Sequence, residues 1–143
     1  MQTKLTEPAL IAGLDAVAAA LPAGVRRDLA EDPGFFVCDV EATPGRAVSV
    51  PVAGPGVGRP GRCVVLKRSL ARRESGFIRW VIAHELAHAY LGNRGRTEAE
   101  DPEAAADALA AAWGFPRPAS PTDAWPLPVI RPPMHHAIVD NPA

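Results

Sequence analysis

Residues 84–88 read His-Glu-Leu-Ala-His and sit in the most hydrophobic run of the chain. A buried helix normally excludes such groups, because an interior polar group without a partner costs stability. His84 and His88 are four positions apart, so on an α-helix both imidazoles point to one place. Each can bring a nitrogen to about 2.0–2.1 Å from a zinc ion. Glu85 lies one position further round, where it can reach a water on that ion without ligating it.

This is the H-E-x-x-H arrangement in which a metal and a glutamate activate water for hydrolysis. A catalytic zinc needs a third protein ligand and one position left for water. The next helical segment offers Glu103 and Asp107, again four apart and on one face. Glu103 can complete the ligand set. Asp107 can accept a hydrogen bond from the outer nitrogen of a ligating histidine, which fixes its tautomer and strengthens it as a ligand. Glu98 and Glu100 are acids in the same neighbourhood, and Glu103 also suits a helix's first turn simply as an acid. Glu103 is preferred because it begins the alanine-rich segment and pairs with Asp107 at helical spacing. Fifteen positions separate His88 from Glu103, enough to finish one helix, turn and start an antiparallel one.

The elements that must hold these side chains can be read outward from them. Ser75 is placed to cap the motif helix, and Gly92-Asn93 to stop it. Between Phe77 and Leu91 its only Asp, Glu, Lys or Arg residues are Arg79 and Glu85, so a helix apolar nearly all round is expected at the domain centre. The second helix opens with Asp101 as N-cap and Pro102 at its first position, runs in alanines and is closed by Gly114. Upstream, Thr6 reads as the cap of a helix carrying Leu10, Leu14, Val17 and Leu21 at helical spacing. Three strand-like stretches follow, Phe35 to Val40, Ala47 to Val52 and Arg62 to Leu70; Pro51 marks the second as a sheet edge. The expected fold class is α+β: an N-terminal helix, a small three-stranded, mostly antiparallel sheet, the H-E-x-x-H helix and a following Glu-bearing helix. Beyond Phe115 the chain changes character, with eight of its sixteen prolines between Pro116 and Pro142, as in an extended tail.

The stretch "FIRWVIAHELAHAYLGN" followed by "EDPEAAADALAAAWGF" resembles the gluzincin metallopeptidases, above all the minimal bacterial and phage-type ones. The resemblance covers roughly residues 62 to 115 and leaves out the tail. It implies a zincin-like peptidase domain at 1–115, one Zn2+ per chain, His84, His88 and Glu103 as its ligands, Glu85 as general base, and Asp107 as the partner of His84. The activity implied is hydrolysis of peptide bonds in a peptide or protein substrate. The alternative is a zinc-stabilised protein-binding module that no longer cleaves, which gives no reason for a carboxylate at Glu85.

Composition limits the other classes. Hydrophobic residues make up 48% and charged residues 22%, with a net charge of −1, so no overall field draws the chain to nucleic acid or anionic membrane. The basic groups at Arg26/Arg27 and Arg68/Arg72/Arg73 read as solvated helix faces. No run of eighteen apolar residues suggests a membrane span, and the opening "MQTKLTEPAL" is no secretory signal. A cytoplasmic setting is the default expectation. Cys38 and Cys63 make no disulfide framework and read as small hydrophobes. Tyr90 points away from the metal face, while Trp80, one turn before His84, reads as core or pocket wall. In the tail, Trp125 to Ile130 suggest a segment that lies on the body and could occlude the cleft, and His135 and His136 a second histidine pair.

Overall fold

A computed structural model describes residues 1–41, 62–93 and 101–119 of the chain. The expected strand Ala47 to Val52, the acids Glu98 and Glu100, and the tail features at Trp125 to Ile130 and His135/His136 lie outside the described residues.

The described elements run β1 (Gln2–Lys4), α1 (Pro8–Ala20), α2 (Ala23–Glu31), β2 (Phe35–Val40), β3 (Arg62–Lys67), a 3-10 turn (Arg68–Arg72), α3 (Ser75–Asn93) and α4 (Pro102–Ala112). The described sheet has the order β1-β2-β3, and both pairings are parallel, with Thr3 opposite Val37 and Val37 opposite Val64. The expectation of a mostly antiparallel sheet is therefore wrong. It treated three successive β-rich stretches as hairpin neighbours. Instead β2 is flanked on one side by an N-terminal strand, Gln-Thr-Lys, too short and polar to stand out in the sequence. Parallel neighbours need a long crossover, and α1 with α2 supplies the one from β1 to β2. A sign of this was present in "FFVCDV": a strand buried on both faces reads as a continuous apolar run rather than an alternation, and its first five residues are all buried.

Four local expectations shift for physical reasons. Thr6 does not cap α1. Glu7 holds that position without a side-chain cap, and the Thr6 hydroxyl instead donates to the buried Asp39 carboxylate at 2.9 Å. Asp39 also accepts the backbone N–H groups of Thr6 (2.6 Å) and Glu7 (3.0 Å), so an acid on β2 ties down the entry to α1. Ser75 is the first residue of α3 rather than its cap, and β3 ends at Lys67, where the chain tightens into the 3-10 turn. Arg68 is not merely a solvated charge: its Nε donates to Asp39 Oδ1 at 3.2 Å.

One core joins every layer. Leu10, Leu14 and Val17 of α1 pack with Phe35 and Val37 of β2, Val64 and Leu66 of β3, and Ile78, Ile82 and Leu86 of α3. Ala106 and Ala110 bring α4 onto the same core. Helix α3 meets α1, α2, α4 and β3, which explains why its sequence is apolar nearly all round. Gly13 allows α1 to approach it closely; a Cβ there would lie 2.9 Å from both Ile78 Cγ2 and Ile82 Cδ1. Both cysteines are free thiols, but only Cys38 is buried; burial, with Cys63 beside it, pushes its thiol up to about 11. Among the described residues no helix is long and apolar enough to cross a membrane.

Candidate metal centre

The site lies where α3 packs on α4. Helix α4 begins as its sequence indicates: the Asp101 side chain accepts the backbone N–H groups of Glu103 and Ala104, both at 3.1 Å, and Pro102 stands in the first turn. This cap fixes the first turn that carries Glu103. Ala106 and Ala110, fully buried, let the two helices approach closely enough for short carboxylate side chains to cross between them.

Three acceptor groups meet there. Nε2 of His84 is 3.0 Å from Nε2 of His88 and 3.2 Å from Glu103 Oε2, and His88 Nε2 is 3.3 Å from Glu103 Oε1. A single cation can touch one atom of each, so His84, His88 and Glu103 form a group able to hold a metal ion. The site grades from interior to surface. The His84 side chain is 2% exposed, that of His88 30% and that of Glu103 63%, so the cluster opens to solvent on the glutamate side.

The inner side of the cluster is locked by Asp107. Its Oδ1 lies 2.8 Å from His84 Nδ1. A carboxylate can only accept, so Nδ1 carries the proton, and a neutral imidazole then offers the Nε2 lone pair to the cluster. The spacing of Glu103 and Asp107 on α4 thus does two things at once, setting one acid against each nitrogen of His84.

Glu85 follows His84 on α3 and is half-buried. Burial holds its carboxyl above the ordinary value of 4.5; the charge of His88 works against that rise and the charge of Glu103 adds to it. All five residues singled out in the sequence are therefore brought to one locality. Tyr90 packs its ring edge-on against Trp113, with centroids 6.4 Å apart, away from the cluster.

Two residues in contact with the site were missed as functional. Trp80 donates its indole N–H to Asp107 Oδ1 at 3.2 Å, and Arg117 places a guanidinium nitrogen 3.6 Å from Asp107 Oδ2. Trp80 was legible in principle, since it precedes His84 by four positions and so shares its face of the helix. Arg117 carried no such signal, because it reaches the site only through the turn that ends α4. No protein-family model, curated protein or solved structure matches the chain.

Proposed function

We propose that the chain is a zinc-dependent peptidase of gluzincin-like design, with His84, His88 and Glu103 as metal ligands and Glu85 as general base. The observation that carries this reading is a convergence of ligand atoms: His84 Nε2 lies 3.0 Å from His88 Nε2 and 3.2 Å from Glu103 Oε2, and His88 Nε2 lies 3.3 Å from Glu103 Oε1. Ligand atoms held at about 2.0–2.1 Å in a tetrahedron around zinc are separated by roughly 3.3–3.4 Å. The donor set, two imidazole nitrogens and one carboxylate, is a zinc set that leaves a coordination position open.

When bound, zinc would lower the pKa of water toward about 7 and polarise the scissile carbonyl. The chain's own residues do the rest. Glu85 accepts the proton of the attacking water and delivers it to the leaving nitrogen. Asp107 holds the proton on His84 Nδ1 and so keeps Nε2 available. The substrate class is a peptide or protein.

The test is metal analysis of the purified chain together with cleavage of a mixed peptide library, for the parent protein and for Glu85→Gln. The expected result is one zinc per chain in both proteins and cleavage only by the parent. A parent chain that binds zinc, binds a protein partner and cleaves nothing would favour a binding module instead.

A further inference from the structure

Trp80 is almost wholly buried, 2% exposed, and an indole N–H in such a place needs an acceptor. It takes the same oxygen that His84 uses. Asp107 Oδ1 accepts His84 Nδ1–H at 2.8 Å and Trp80 Nε1–H at 3.2 Å. A carboxylate oxygen has two lone pairs, so the two donors share it without displacing one another. The other oxygen faces Arg117, whose guanidinium also lies over the Trp80 ring, 5.1 Å from its centroid.

Arg117 arrives there because α4 ends in a tight reversal. Gly114 adopts φ +94°, Phe115 N–H bonds Ala110 C=O at 3.0 Å and Gly114 N–H bonds Ala111 C=O at 3.0 Å. That pair of bonds defines a Schellman turn, and its left-handed residue is one that only glycine adopts without strain. The turn folds the following residues back along the helix, so Arg117 covers the indole and the carboxylate together.

The torsion that aims an Asp carboxylate is soft, so its oxygens point where their partners hold them. We infer that Trp80 is a positioning residue for the metal centre: its indole N–H, backed by Arg117, fixes the Asp107 carboxylate so that Oδ1 holds the His84 imidazole in its metal-binding tautomer and orientation. This deepens the metal reading above and rests on it for the consequence in metal affinity, but not for the effect on His84 itself.

The test is Trp80→Phe, which keeps a ring beside Phe77 and under Arg117 and deletes the N–H. If that variant does not fold, replacing the indole of Trp80 by benzothiophene removes the N–H alone. Nitrogen-15 NMR of labelled histidine in the metal-free full chain reports the His84 tautomer. The expected result is Nδ1–H in the parent and a mixture of tautomers in the variant. Zinc competition against a chromophoric chelator should show binding weakened about threefold to tenfold, less than the roughly 10–100-fold that follows loss of a ligand's own hydrogen-bond partner. In an Asp107→Ala background the same substitution should change neither readout. An unchanged tautomer in Trp80→Phe overturns the inference whether or not zinc binds, and so does an equal effect when Asp107 is absent. If the parent takes up no zinc while the tautomer still responds to Trp80, the positioning role stands and the metal reading falls.

Discussion

His84 and His88 turn their Nε2 atoms toward each other across 3.0 Å, and both also face the Glu103 carboxylate. Lone pairs that close repel unless a proton or a cation lies among them. The arrangement thus stores a preference for an electropositive guest, and binding such a guest stabilises the fold that presents it. Zinc should raise the melting temperature of the chelator-treated protein. At a free concentration a thousand times the dissociation constant the gain should be about 4 kcal/mol. Calorimetry with and without zinc checks this, and His88→Ala should abolish the shift.

Glu85→Gln keeps the size and shape of the side chain and removes its ability to take a proton. Zinc content should be unchanged, and kcat should fall by about 10²–10⁴-fold, the usual contribution of a positioned general base. Steady-state kinetics on a cleaved peptide give the answer. A variant as active as the parent would remove Glu85 from the reaction.

Asp39 predicts an effect on stability far from the metal. Burial would raise its pKa above 3.8, but the Thr6 and Glu7 backbone N–H groups, the Thr6 hydroxyl and Arg68 outweigh this and hold it below. A depressed folded pKa contributes stability that is complete above about pH 3.8 and is lost as pH falls through the lower folded value. Asp39→Ala should cost about 1.5–3 kcal/mol at neutral pH, since it removes the charged acceptor shared by the Thr6 and Glu7 N–H groups, the Thr6 hydroxyl and Arg68. It should also flatten the acid limb of the stability curve. Urea titrations from pH 7 down to pH 2 measure both.

Gly13→Ala tests the contact between α1 and α3. Alanine favours the helix by up to about 1 kcal/mol, while the new Cβ meets Ile78 and Ile82 at 2.9 Å in a filled core. Overpacking of that kind costs about 1–3 kcal/mol, so a net loss of roughly 1 kcal/mol is expected. Thermal melts measure it. A gain in stability would mean that both isoleucines move aside freely.

Much of this protein was legible in sequence because the information is local. The pairs His84/His88 and Glu103/Asp107 announce shared helix faces through the 3.6-residue turn, and Asp101-Pro102 and Gly114 announce where α4 begins and ends. An apolar helix carrying two histidines and a glutamate implies that something interior repays their desolvation. What spacing along one segment cannot convey is which segments become neighbours. The polar strand Gln2–Lys4 pairs with β2 through backbone groups that every residue type possesses, so nothing in its side chains marks it, and the parallel direction of β2 and β3 is likewise a matter of long-range pairing. Likewise Trp80, Asp107 and Arg117 lie far apart in the chain and meet only because α4 packs on α3 and then turns back. Helical periodicity determined which side chains share a face, and long-range packing decided which of them meet.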